Sequence, residues 1–118
     1  AMHSVPIGAA PFYEAPGHIQ MLMQRLQGME AGPSDHLWIG TSLLEPGGGT
    51  TSSASGLEKF YICLEGEVQI TAVQDGKPQV TRLRYLDSCR IAPGEERQLF
   101  NHTAKPARLL LVMPLAPR

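Results

Sequence analysis

Apolar and polar positions along the chain fall into short runs with a period of two, broken repeatedly by glycine, proline or an Asp-Gly turn. Residues 36–44 (HLWIGTSLL), 68–73 (VQITAV), 80–86 (VTRLRYL) and 107–113 (ARLLLVM) each predict a strand. The stretch 57–68 (LEKFYICLEGEV) is the one around which the others are arranged. Its centre, Phe60 to Leu64, is aromatic and β-branched, carries no charge and runs into Glu65-Gly66-Glu67, the profile of a buried strand entering a tight turn. Alternation places Glu58, Phe60 and Ile62 on one face and Lys59, Tyr61 and Cys63 on the other. The face with Phe60 and Ile62 is read as the core face, which would carry Glu58 inside.

The remaining segments fit the same pattern. Residues 18–26 (HIQMLMQRL) match neither period cleanly and are read as a strand from their surroundings. Residues 2–17, with three prolines and two glycines, read as an extended arm, and 18–118 as a single domain. The run 45–49 (EPGGG) is expected to end the strand before it. Residues 47–56 (GGGTTSSASG) read as a small-residue loop packed close to something. Residues 74–78 (QDGKP) predict a hairpin turn, and 89–91 and 97–101 supply two short strands. Eight or nine short strands without a convincing helix predict an all-β sandwich or barrel.

Composition narrows the function classes. A chain of 118 residues makes one domain with a proper core, and Ala1, standing before Met2, is set aside as lying outside the fold. A formal net charge of −1 with interspersed signs gives no footprint for nucleic acid or for a membrane surface. The longest apolar run, 109–113, is too short to span a bilayer. The opening residues are too broken by Pro and Gly for a secretory leader, so a cytoplasmic location is expected, with Cys63 and Cys89 as reduced core thiols.

Two motifs, separated by the Asp-Gly hairpin, resemble those of the cupin superfamily, in its small single-domain form. The family's first motif is two histidines one residue apart, three or four residues, a glutamate and an apolar strand ending in glycine. The run from Glu58 to Glu67 (EKFYICLEGE) is similar to its second half. The second motif is Gly-Asp, then Pro-x-Gly, then a histidine and an asparagine. Here Leu86-Asp87 is followed by Pro93 and Gly94, then Arg97, then Asn101. The resemblance covers about residues 36–113 and implies a jelly-roll (double-stranded β-helix) barrel, open at one end and commonly a homodimer.

The departures bear on chemistry. The histidine pair would fall on Ser52 and Ala54, or on Thr51 and Ser53, and the third histidine on Arg97, leaving Glu58 alone of the four usual ligands. A lone carboxylate holds a first-row metal poorly, a cation repels one, and arginine cannot deprotonate to ligate it. No transition-metal cofactor is therefore expected at this place.

If Glu58 and Arg97 both point into the barrel, two outcomes are open. They form a structural ion pair, or they stay apart, with Glu58 as a base of raised pKa and Arg97 as the binder of a substrate anion. Ser52 and Ser53 could offer hydroxyls at the pocket mouth, with Phe60, Trp38 and His36 as further lining. His36 and Trp38 share a strand face that could equally meet a dimer partner. Three functions follow: a metal-independent isomerase, epimerase or lyase on a small polar or anionic, sugar-like substrate; a non-catalytic ligand-binding or sensing barrel; or a dioxygenase-like metal enzyme with unusual ligands such as His36 or His102.

Overall fold

The alternating runs fold as antiparallel strands in the computed structural model of the chain, which describes residues 1–117. In chain order they are β1 (Phe12–Tyr13), β2 (His18–Gln27), β3 (Leu37–Thr50), β4 (Ser53–Ala54), β5 (Lys59–Glu65), β6 (Val68–Gln74), β7 (Lys77–Leu83), β8 (Ser88–Ile91), β9 (Glu96–Phe100) and β10 (Ala107–Pro114). Two 3-10 turns, Ile7–Ala9 and Met29–Ala31, are the helical pieces among the described residues, and none of these is long and apolar enough to cross a membrane. The strand spacing predicts an all-β sandwich or barrel and the resemblance implies a jelly roll; an all-β jelly roll is the architecture found.

β3 belongs to both walls of the barrel. Its first half lies between β2 and β10, and its end reaches β9, where Gly49 stands opposite Phe100. One wall is therefore β1-β2-β3-β10-β5-β8; the other is β7-β6-β9, completed by β4 and the end of β3. The Glu45-Pro46-Gly47 run does not stop the strand, as the sequence suggested, but lets it cross. Gly47 takes φ 81°, and a side chain at Gly49 would run into the Leu99 backbone carbonyl. Small residues here allow the walls to close.

The register decides what lies inside. Leu44, Cys63, Val68, Ile70, Leu83, Leu99, Ala107 and Leu109 form the buried core. Tyr61 joins them, whereas Phe60 is 40% exposed. The inward face of β5 is thus Lys59-Tyr61-Cys63, the reverse of the expected phase. The cause is a second apolar surface outside the wall, where Phe60 faces Val112, Ile62 faces Leu110 and Ile39 continues the first row. A strand apolar on both faces carries a period of two but no phase.

The arm is docked rather than free. Phe12 and Tyr13 pair with Gln24 and Met23, and Gln24 Nε2 donates to the carbonyls of Ile7 and Ala10. His3 Nε2 donates to Ala31 O at 2.8 Å. Arg25 sits over the rings of both Tyr13 and Trp38, 3.5 and 4.3 Å from their centroids, and these two rings stand edge to face; the cation–π contacts hold the arm's end to the barrel. At the far edge, Asp75 (φ 52°) and Gly76 (φ 72°) form the hairpin turn into β7, which is exposed at every residue except Leu83.

Asn101, the asparagine of the second motif, is fully buried and ties the loop after β9 to β3. Its Nδ2 donates to Leu44 O (3.1 Å) and Lys105 O (2.7 Å), and its Oδ1 accepts from Thr103 N and Oγ1. Asn101→Ala leaves several of these buried groups unpaired and is expected to destabilise the fold by about 2–4 kcal/mol. Urea unfolding should show a lowered midpoint with an unchanged slope; a loss under 1 kcal/mol would contradict the role given to this residue.

Candidate functional site

Inward positions change character along the barrel. The end containing Leu44, Val68 and Ala107 is apolar, while the starts of β5 and β9 bring Lys59 and Arg97 inside, each only 6% exposed. The two strands deliver them by alternation: Lys59 precedes Tyr61 and Cys63 on β5, and Arg97 precedes Leu99 on β9. His18 enters from β2, opposite the buried Thr50 of β3. A bulge at Gln20 (φ 51°) shifts the register between Ile19 and Met21, so His18, Met21 and Met23 all turn inward.

Arg97 is held but not neutralised. Its Nη1 donates to Thr50 Oγ1 at 2.7 Å and to Thr51 O at 3.3 Å, while its buried Nε has no hydrogen-bond partner among the described residues. Thr50 Oγ1 also accepts from Leu99 N at 3.0 Å. Lys59 is in no ion pair among the described residues, and neither cation meets a carboxylate.

The interior groups perturb one another in a consistent direction. Burial, and then the Arg97 charge, lowers the Lys59 ammonium to about 8. Burial pushes the Tyr61 phenol up to about 12, against the pull of the adjacent Arg97. Burial and the two cations hold His18 below its ordinary value, despite its bond to Pro16 O at 2.9 Å. That bond makes Nδ1 the donor, so the neutral ring keeps its lone pair on Nε2. Cys89 rises to about 11 through burial and the nearby Glu95, and Cys63 rises through burial; both thiols are free and inert. A cavity of about 550 Å³ opens between the arm and β2, with Tyr13, Glu14, His18, Met21 and Met23 on its wall. Its wall meets the cation cluster through His18.

Several residues singled out in the sequence lie elsewhere. Glu58 faces outward, 41% exposed at its side chain, and pairs with Arg90 Nε at 2.5 Å. The inward position expected for Glu58 beside Arg97 is not found, because the inward place on β5 belongs to the next residue. Phe60 also faces out. His36 is exposed just before β3, whereas Trp38 is buried beneath Arg25, so the two do not share surroundings. Ser52 and Ser53 are exposed; Ser53 pairs through its backbone with Arg97. His102 bonds Glu67 Oε2 at 2.5 Å, away from the cluster. Of the site residues singled out, Arg97 and Trp38 are the buried ones. Lys59 and His18 were missed, although the alternation already joined Lys59 to Tyr61 and Cys63; the unrecognised signal was a lysine on a face with no other charge.

The residues present do not fit the metal that the resemblance implies. Among the described residues no three His, Cys, Asp or Glu side chains converge, and the inward positions next to Arg97 carry positive charge. A divalent cation would meet two like charges here.

No family model matches the chain. A curated protein of Mycobacterium tuberculosis (strain ATCC 25618 / H37Rv), Beta-D-galactosidase Rv1717, is 39% identical over 104 residues, 88% of this chain and 86% of that protein. Among solved structures, the polyketide cyclase RemF from Streptomyces resistomycificus matches with a TM-score of 0.78 at 18% identity, over 97% of this chain and 80% of its own. An RmlC-like cupin from Shewanella frigidimarina matches with a TM-score of 0.74 at 17% identity, over 100% of this chain and 95% of its own. At such identities these two likenesses are of fold.

The buried ammonium has a measurable cost. Folded Lys59 titrates at about 8 against 10.5 for the free side chain. Between those values the unfolded chain binds more protons, so stability rises with pH. The penalty is complete below pH 8 and gone above about 10.5. Lys59→Met is therefore expected to stabilise the chain at pH 7 by on the order of 1–3 kcal/mol, with the gain shrinking toward pH 10. Thermal melts of both proteins at pH 7 and 10 check this; a pH-independent difference would contradict it.

Proposed function

The chain belongs to the cupin superfamily, and on that basis we propose that its barrel receives a small anionic, polyhydroxylated molecule of the sugar-acid type, without a metal. The observation that carries this reading is the pair of buried cations, Lys59 and Arg97, facing one interior with no acid beside them. Buried charge is costly unless paired, and the missing partner is negative. Arg97 has the geometry for a carboxylate or phosphate: Thr50 and Thr51 fix one arm of the guanidinium, and the edge bearing Nε–H stays unpaired. The cavity beside His18 is of a size that suits a small ligand. The sugar character is supported by the name of the mycobacterial relative, a β-D-galactosidase.

That relative also favours a second reading, hydrolysis of a β-D-galactoside. Glycoside hydrolysis ordinarily uses two carboxyl groups about 5–10 Å apart. The cation cluster supplies none, and Glu14 is the acid on the cavity wall. A hydrolase on this frame would depend on Glu14, with water or a neutral interior base such as His18 as its counterpart.

The apolar outer face of the β10–β5 wall supports a homodimer, with Phe60 at its centre. Sedimentation should then give twice the chain mass, and Phe60→Lys the single mass.

Ligand-induced thermal shifts separate the functional readings. D-Galacturonate and inorganic phosphate are expected to raise the melting temperature at pH 7 while D-galactose does not. Arg97→Gln should weaken the acid's binding about 10–100-fold, the worth of one or two charge-assisted hydrogen bonds. Equal shifts from galactose and galacturonate would remove the need for an anion. Turnover of an aryl β-D-galactoside that disappears in Glu14→Gln would decide for the hydrolase; binding without turnover of either compound would leave a sensing barrel.

A further inference from the structure

Four groups in the barrel are nucleophiles by type: the buried Lys59, Tyr61 and Cys63, and the half-buried Cys89. Three are held in their unreactive, protonated forms by burial, with Tyr61 pushed up to about 12, Cys89 up to about 11, and Cys63 raised as well. Burial acts on an amine in the opposite sense, because the neutral form is then the one favoured. A lysine that is both desolvated and beside a second cation is the arrangement that turns an ammonium into a nucleophilic amine near neutral pH. Lys59 meets both conditions: it is 6% exposed and in no ion pair among the described residues, and it shares the interior with Arg97, itself 6% exposed and with its Nε unpartnered.

We propose that Lys59 condenses, through its Nζ, with the carbonyl carbon of a small anionic aldehyde or ketone whose acid group is held by Arg97. The inference rests on the anion-binding reading above and adds the reacting group and the substrate's second functional group. A sugar acid in its open-chain form, or a keto acid, has both.

The step balances without a cofactor. The Nζ lone pair adds to the carbonyl carbon to give a carbinolamine. The C–O bond then breaks, the oxygen leaves as water with the two protons the amine has lost, and a C=N bond remains. Groups on the same interior suit this traffic. His18 on β2 presents an unprotonated Nε2 that can take a proton from the ammonium. Tyr61, which keeps its phenolic proton beside Arg97, can supply one to the departing oxygen. Arg97 on β9 holds its charge throughout, and Cys89 on β8 stays a thiol. The imine draws electrons from the adjacent carbon, which makes a proton there removable without a metal.

Few amines compete in this chain. Its lysines are Lys59, Lys77 and Lys105, and the last two are exposed. The whole chain is incubated with pyridoxal 5′-phosphate, an aldehyde carrying a phosphate, and in parallel with phosphate-free pyridoxal. Imines are then reduced with borohydride and located by peptide mass spectrometry. The expected result is at least tenfold more label on Lys59 than on Lys77, Lys105 or the N-terminal amine. Its yield should climb between pH 6.5 and 9, and inorganic phosphate should suppress it. Label spread over the exposed amines with no excess at Lys59 would overturn the proposal, while a retained phosphate thermal shift would show that the anion site still stands. Equal labelling of Lys59 by pyridoxal, unaffected by phosphate, would overturn the holding of the carbonyl compound by Arg97. Because the site is read from the unmutated protein, no outcome depends on a variant that fails to fold.

Discussion

Bringing a guanidinium into a β-barrel without an acid is the constraint to which the rest of the interior answers. Arg97 is fixed by Thr50, the last residue of the strand that crosses between the walls. Thr50 Oγ1 accepts from both Arg97 and the backbone of Leu99, so one hydroxyl ties the charge to the strand pairing around it. The close approach of Gly49 to Leu99 makes this possible, since any side chain there would push the strands apart. With Arg97 in place, Lys59 becomes a like charge in the same space. Its lowered pKa and that of His18 follow from burial and from that neighbour.

The fold was legible because its signals are local. The Asp75-Gly76 turn, the alternation of residues 68–73 and the Pro93-Gly94 break each specify a strand end without reference to the rest of the chain. Pro46 to Gly49 misled, because glycines that end a strand in one setting allow two strands to touch in another. The arm's docking was hidden for a related reason. It depends on Arg25 reaching two aromatic rings brought together only by the pairing of three strands.

The candidate site was half legible. The resemblance implies an inward place for Arg97, at the position of the second motif's histidine, and the structure puts it inside. Alternation sets Glu58 inside with Phe60 and Ile62, which have the character of core, and the apolar outer surface of that wall supplies the false phase. One residue of register exchanges an acid for a lysine and changes the sign of the pocket. His18 could not have been found from spacing, since the bulge at Gln20 that turns it inward alters the count. The expectation of no metal rests on missing histidines; the positive character of the interior needed the three-dimensional register.

The exposed hairpin strand β7 has a bearing on how copies of this protein meet. It lies at one end of the sheet order, where unpaired backbone groups invite strand addition and aggregation. Lys77, Pro78 and Arg82 stand along it: the proline has no amide hydrogen to offer, and the two cations repel their counterparts on another copy. Ordered self-association is steered away from this margin and toward surfaces with closed backbone pairing. Open-ended strand addition is thereby opposed by a strand that contributes only Leu83 to the core.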